Sequence, residues 1–287
     1  MARGAGRLEP VHAAIAASAR AGEPDRYLAA LLAPGPARGD LLSLAAFAAE
    51  LARIATAVRR EPAMAEIRWQ WWREAVALPA GAQTGHPIAD GLRALIARRG
   101  LAPAELVALV EAHAGDLDPL PFASDAALDH YLTSTEGALF ALSARILGLS
   151  ADGSAPAWSA RAGRAYGLAR LVFGLKVALA RGHCPIPRAR LAAVGLSPDD
   201  LLAGASAARA RLIAELGRGA RDSLAQARGD ATKLPRQASI AVLPLALVES
   251  YVRASERAEA DSPQRLAYVA PLTRVVRIAG AHWFGRW

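Results

Sequence analysis

One stretch constrains the fold of this chain more than any other: the run AYGLARLVFGLKVALARGHCPIP, which spans residues 165–187. It is a long apolar run that stops at Arg181 and Gly182, and Pro185 and Pro187 come directly after it. Glycine and proline end regular helices, so the run predicts a long apolar helix followed by a sharp turn.

Alanine and leucine supply most of the apolar residues, which make up 53% of the 287 residues. Both residues are good helix formers, whereas β-branched and aromatic residues nowhere alternate over a sustained run. We therefore predict an all-α fold. We also predict a single domain over residues 1–287, because residues 150–156 form too short a linker to separate two domains.

The net charge is +8, and nearly all the cationic residues are arginines; only Lys176 and Lys233 are lysines. One interpretation is the codon bias of a GC-rich genome. The other is attraction to an anionic membrane surface. The arginines are spread along the chain and no nucleic-acid motif is present, so we expect no nucleic-acid partner.

A single cysteine, Cys184, excludes an intrachain disulfide framework and makes a cysteine-based zinc site improbable. No long apolar segment follows the first arginines, and no stretch of about 18 apolar residues is free of charge. We therefore expect no signal peptide and no membrane-spanning helix. The expected location is the cytoplasm, including a peripheral position at the inner face of the cytoplasmic membrane.

Local signals place several helix starts. Asp40 is expected to cap a helix that runs to about Arg60, and Ser124 to cap one that runs to Gly148. Ser262 and Pro263 are expected to open the last helix.

Five segments resemble, in chain order, the motifs of the squalene/phytoene synthase family. They are Asp25–Tyr27 with Leu31 and Leu32, Phe47–Thr56, Pro62–Val76, Tyr131–Gly148 and Arg181–Pro187. Their order, spacing and helical context carry the resemblance over nearly the whole chain. It implies an isoprenoid-synthase-like helical domain around a central cavity.

The family's enzymes hold Mg²⁺ with two clusters of aspartates, because a departing diphosphate needs divalent cations to neutralise it. In this chain the first cluster falls on Ala52, Arg53 and Thr56, and the second on Gly174 and Ala178. The resemblance therefore transfers no catalytic residue and no metal ligand. We expect no cofactor, with Mg²⁺ needed only if the chain is an enzyme after all.

Arginines stand near these positions instead. Arg170 and Arg181 share a helix face with the second cluster, and Arg53 takes an acid position of the first. One hypothesis is that Arg53, Arg170 and Arg181 bind an anion or a phosphate-bearing lipid. The alternative, which we favour, is that the arginines extend to solvent or pair with Glu50 and Glu136.

Aromatic residues provide candidate contacts with a partner or a membrane. Trp69 and Trp72 share a helix face and are expected in the core, whereas Trp71 lies elsewhere and is a candidate contact. The carboxyl-terminal sequence RVVRIAGAHWFGRW places arginines beside apolar residues, as in helices that lie on bilayers or dock on partners. Its candidate contacts are Trp283, Phe284 and Trp287.

Because it lacks both aspartate clusters, the chain resembles a non-catalytic branch of the family that contains a mitochondrial complex I assembly factor. This resemblance implies a role in assembling a membrane respiratory complex, with a subunit or assembly intermediate as partner. Two alternatives stay open. One is a diverged prenyltransferase of carotenoid or hopanoid synthesis, which would rebuild its metal site from Glu50, Glu136 or Asp129. The other is a protein that binds prenyl phosphates or lipids.

Overall fold

The protein is described by a computed structural model that covers residues 5–57, 61–79, 81–117, 122–149, 157–203, 207–232, 234–235, 237–262 and 265–285. Within these ranges the regular structure is helical and no strand occurs, which confirms the all-α prediction.

The α-helices are α1 (Ala5–Gly22), α2 (Pro24–Leu31), α3 (Gly35–Ala57), α4 (Pro62–Ala77), α5 (Pro87–Arg99), α6 (Pro103–Ala112), α7 (Asp125–Leu132), α8 (Ala138–Ile146), α9 (Ala157–Ala180), α10 (Arg188–Ala193), α11 (Pro198–Ala203), α12 (Ala207–Ala231), α13 (Val248–Asp261) and α14 (Pro271–Phe284). Segments of 3₁₀-helix cover His113–Leu117 and Ala238–Leu247, and a π turn covers Thr133–Gly137.

The chain divides into two compact units. The first comprises Met1–Leu117, Leu142–Ala151 and Arg236–Ala241, and the second comprises Asp118–Ala141, Asp152–Pro235 and Val242–Trp287. The single-domain organisation expected from the sequence stays a prediction.

In the first unit, α3 is the central helix and contacts α1, α2, α4 and α5. Phe47 and Leu51 of α3 are fully buried, and the Phe47 ring packs against Trp72 with centroids 5.1 Å apart. Each such side chain contributes about 2 kcal/mol when it leaves water. Burial of the apolar face of α3 therefore holds the helices of this unit together.

The position of Asp40 differs from the prediction. Helix α3 already begins at Gly35, with a proline in its first turn, and Asp40 lies inside the helix. Its buried carboxylate accepts hydrogen bonds from Arg98 Nε at 3.2 Å and from Arg99 Nε at 2.6 Å. The capping prediction was wrong because the proline suits a first helical turn and Asp40 is used in a tertiary ion pair.

The loop between α4 and α5 is fixed by two side chains of α5. Asp90 accepts hydrogen bonds from the Thr84 amide at 2.7 Å, the Thr84 hydroxyl at 2.8 Å and the Gly85 amide at 3.1 Å. Arg93 donates to the carbonyls of Ala75 and Leu78, each at 2.9 Å. Arg93 thereby satisfies carbonyls that the end of α4 leaves unpaired.

In the second unit, α9 is the central helix and contacts α7, the π turn, α12 and α13. Tyr166 of α9 meets Phe140 edge to face at 5.8 Å, and Phe173 meets Tyr251 at 4.6 Å. Helix α9 is the long apolar helix predicted from residues 165–187, and a left-handed Gly182 lies just beyond its end.

The π turn and α9 approach each other backbone to backbone. A Cβ atom built on Gly163 would lie 2.3 Å from the Gly137 amide nitrogen and 2.9 Å from the Leu132 carbonyl oxygen. No side chain fits in that space, so the crossing requires glycine at position 163.

The helix starts expected in the second unit are partly confirmed. Ser124 caps α7, since its hydroxyl accepts a hydrogen bond from the Ala127 amide at 3.2 Å. The last helix, α14, begins at Pro271 and not at Ser262. Lys176 explains the difference, because its ammonium group binds the carbonyl oxygens of Ser262 at 3.2 Å and Arg265 at 2.9 Å, and residues 265–270 are not helical.

The glycine crossing can be tested with two substitutions in α9. Gly163→Ala is expected to lower the free energy of unfolding by about 3 kcal/mol, because the added methyl group must displace backbone atoms. Gly174→Ala is the matched control: its Cβ would meet nothing within 4 Å. Removing a mid-helix glycine should stabilise the control by about 0.5–1 kcal/mol. Equal urea midpoints for the two variants would contradict the close crossing.

The Asp90 contacts predict a pH dependence. Burial raises the pKa of Asp90, but the bonds from Thr84 and Gly85 and the charge of Arg93 together lower that pKa below its ordinary value of 3.8. The stabilisation by Asp90 is therefore complete above the unfolded-state pKa and is lost as the pH falls through the lower folded-state pKa.

Asp90→Asn should cost about 1–2 kcal/mol of unfolding free energy near neutral pH, and this difference from the wild type should shrink in acid. Urea denaturation across an acid pH series measures it. The exposed Asp199→Asn is the control and should differ little from the wild type at any pH. A penalty for Asp90→Asn that does not change with pH would refute the role of its charge.

Candidate functional site

On α3, the positions of the first aspartate cluster carry no carboxylate. They are Ala52, Arg53 and Thr56, and the Thr56 hydroxyl donates back to the carbonyls of Ala52 at 3.3 Å and Arg53 at 3.0 Å. This hydroxyl is thus engaged with its own helix.

Glu50, one helical turn before Arg53, is the acid closest to this cluster in the sequence. Its carboxylate pairs with the Arg53 guanidinium and also accepts a hydrogen bond from the Ser18 hydroxyl at 3.3 Å. Glu50 is buried, whereas the Arg53 side chain is 60% exposed. Arg53 therefore neutralises a buried acid and reaches solvent. This agrees with the favoured hypothesis that the arginines pair with nearby acids or extend to solvent.

On α9, the positions of the second cluster are Gly174 and Ala178, and both are half-buried. Arg170 donates to Glu136 on the π turn at 3.1 Å, and its guanidinium lies 5.5 Å from the centre of the Tyr166 ring. The expected pairing of Arg170 with Glu136 is confirmed. Arg181 is exposed at the end of α9.

Asp129, the third acid considered for a rebuilt metal site, is also bound by an arginine. Arg164 of α9 donates from Nε to Asp129 at 2.7 Å and from a terminal nitrogen to the Ser223 hydroxyl at 2.7 Å. Each of the three candidate acids thus has an arginine partner within its own unit.

These residues do not fit a magnesium–diphosphate site. Mg²⁺ takes oxygen ligands in a near-octahedral arrangement and is usually held through carboxylates and substrate phosphates. In the part of the chain that the structure describes, no group of three or more histidine, cysteine, aspartate or glutamate side chains is placed to hold a metal ion. The nearby acids contact guanidinium groups instead, so we derive no chemical step through Mg²⁺.

Lys176 of α9 is a structural residue that the sequence reasoning missed. Besides the carbonyls at the end of α13, it lies 3.2 Å from Glu259 Oε2, in an ion pair that is not aligned as a hydrogen bond. Glu259 also accepts from Arg209 Nε at 2.8 Å, where both side chains are only 4% exposed. The signal in the sequence was the lysine itself, since cationic positions elsewhere are almost all arginine.

The tryptophans of α4 lie as predicted. Trp69 and Trp72 are buried, whereas Trp71 is 38% exposed and packs edge to face against Trp72 and His86. Neighbouring exposed apolar residues on α4 include Met64 and Ile67. The role of Trp71 as a partner contact stays a prediction.

Trp283 and Phe284 are exposed at the end of α14. The third candidate of this group, Trp287, lies outside the described residues. The contacts proposed for these aromatic residues also stay predictions.

One helical stretch, Ala238–Asp261, is long and apolar enough to cross a membrane by length and composition, with a mean hydropathy of 1.2. Of its most apolar window, 72% is buried inside the protein, and buried core helices meet the same criterion. Among the described residues, no other helix meets it.

Comparison with curated proteins finds relatives over most of the chain. The rat protein named NADH dehydrogenase (ubiquinone) complex I, assembly factor 6, is 25% identical over 272 residues, which cover 89% of this chain and 81% of the rat protein. The bovine protein of the same name is 25% identical over 257 residues, which cover 88% of this chain and 77% of the bovine protein.

Solved structures share the fold. The squalene synthase HpnC from Alicyclobacillus acidocaldarius matches with a TM-score of 0.72 and 22% identity, over 88% of this chain and 96% of that chain. A dehydrosqualene synthase in complex with a ligand matches with a TM-score of 0.76 and 13% identity, over 97% of this chain and 98% of that chain. At these identities the likeness shows an isoprenoid-synthase-like fold and nothing more.

The sequence profile of the squalene/phytoene synthase family matches residues 19–274. These residues make up most of the chain. They include α3 and α9, on which the positions of the family's two aspartate clusters fall. The protein therefore belongs to the squalene/phytoene synthase family.

Proposed function

We propose that this protein is a non-catalytic member of its family that assists the assembly of a membrane respiratory complex of the complex I type. One observation carries the proposal: Glu50, Asp129 and Glu136, the acids from which a metal site could be rebuilt, are each bound by an arginine. The similarity to proteins named as complex I assembly factors supports the choice of process.

Electrostatics favours this proposal over prenyl transfer. Ionisation of a prenyl diphosphate leaves an anion that divalent cations must neutralise, and those cations need several free carboxylates. A guanidinium already bound to a carboxylate repels an approaching Mg²⁺ and occupies its ligand. The Arg53–Glu50 and Arg170–Glu136 pairs therefore stabilise the folded helices at the expense of metal binding.

The exposed face of α4 is the surface that we assign to the client. This face carries three apolar residues spaced three and four positions apart, as on one side of a helix: Met64, Ile67 and Trp71. Ile67 is 61% exposed. Trp71, one helical turn later, packs edge to face against His86. An exposed apolar patch around a tryptophan is typical of protein interfaces.

The first test addresses catalysis. Purified protein is incubated with farnesyl or geranylgeranyl diphosphate and Mg²⁺, and diphosphate release is measured. We expect no release above that of the substrate without protein, while an active squalene synthase of the same fold serves as the positive control. Magnesium-dependent turnover would overturn the proposal, and saturable binding without release would favour the lipid-binding alternative.

The second test addresses the client. The tagged protein is purified from the cells that make it, and co-purifying respiratory subunits are identified by mass spectrometry. Met64→Ser combined with Ile67→Ser should reduce their recovery on the order of tenfold, because the interface loses its apolar contacts.

Leu31→Ser combined with Val177→Ser is the control for this second test, since it removes two exposed apolar side chains elsewhere. It should leave the recovery unchanged. The proposal fails if the wild type recovers no subunit of the respiratory complex, and the assignment to α4 fails if both double variants behave alike.

A further inference from the structure

Helix α14 is attached to the second unit by one face. Ile278 and Ala281 are buried, and Arg274 on the same side donates a hydrogen bond to the Tyr251 hydroxyl of α13. The Arg274 guanidinium also lies 5.2 Å from the centre of the Tyr251 ring. These contacts fix the rotation of α14 about its axis.

The opposite face of α14 is apolar and exposed. Leu272, Val275, Val276, Ala279 and Trp283 lie within an arc of about 100° at the rotation of a regular helix. Val276 is 61% exposed and Trp283 is 71% exposed. An ordinary surface helix has one apolar face, directed to the core, so a second apolar face indicates something that covers it.

Beside this face, α13, α14 and the segment between them form a cleft of about 360 Å³ with a cationic lining. Its charged residues are Arg253, Arg257, Arg265, Arg277 and Asp261.

Asp261 is paired with Arg265 at 2.6 Å. Arg253 is paired with Glu249 of the same helix. Arg257 and Arg277 are exposed and form no ion pair with any residue that the structure describes. The cleft thus keeps two cations available for an external anion.

The rim of the cleft is also apolar. Leu266 and Tyr268, in the segment before α14, are largely exposed next to the arginines. Apolar side chains, an exposed aromatic ring and unpaired arginines on adjoining surfaces form the pattern of proteins that lie on anionic bilayers.

We propose that α14 and this cleft bind the surface of an anionic lipid bilayer. The apolar face inserts Leu272, Val276 and Trp283 among the acyl chains near the head groups, and Arg257 and Arg277 bind lipid phosphates. A bilayer fits this surface better than a peptide does, because the apolar face is a convex helix side and peptides that bind as helices need a groove. The inference goes beyond the proposed assembly role and does not rest on it.

The test is flotation with vesicles of phosphatidylcholine alone and of equimolar phosphatidylcholine and phosphatidylglycerol. The full chain should float with the anionic vesicles and much less with the neutral ones, and added salt should weaken the binding. Val276→Ser combined with Trp283→Ser should weaken it on the order of tenfold or more. Arg257→Gln combined with Arg277→Gln should weaken it on the order of tenfold and flatten the salt dependence.

The matched control is Met64→Ser combined with Ile67→Ser on α4, since Ile67 is 61% exposed, like Val276. This variant should bind vesicles as the wild type does. The proposal is overturned if the wild type does not float with anionic vesicles, or if the α4 and α14 variants lose binding equally. It is also overturned if Val276→Ser with Trp283→Ser converts a dimer to a monomer in sedimentation without changing vesicle binding.

Discussion

The contact between Gly163 and Gly137 sets the geometry of the second unit. Because no side chain separates the two backbones, α9 packs directly against the backbone of the π turn. Three cationic side chains of α9 therefore reach their partners from fixed positions: Arg164, Arg170 and Lys176. A looser crossing would leave these long side chains without defined partners.

The ion pairs of α3 and α9 balance the acids that lie near the positions of the two aspartate clusters. In an enzyme of the family, clustered acids are tolerated because metal ions balance their charge. Here the clustered positions are neutral or cationic, and the nearby acids Glu50 and Glu136 are balanced by Arg53 and Arg170. The arginine partners thus supply positive charge beside these two acids.

The sequence predicted the features that depend on local pattern and missed those that depend on tertiary contacts. Burial of Trp69 and the Ser124 cap result from helical periodicity and capping chemistry. Asp40 was misplaced because its arginine partners lie about 60 residues away in the chain. The start of α14 was misplaced because Lys176 holds the preceding carbonyls, a contact that local signals do not encode.

The π turn at Thr133–Gly137 has a consequence for the acids on either side of it. In an unbroken α-helix, Asp129 and Glu136 would stand about two turns apart on one face of the helix. A π turn accommodates one additional residue and rotates the next part of the helix by about 100°. The two carboxylates bind different arginines, and deleting the additional residue would not align them, because positions six apart in a regular helix differ in direction by about 120°.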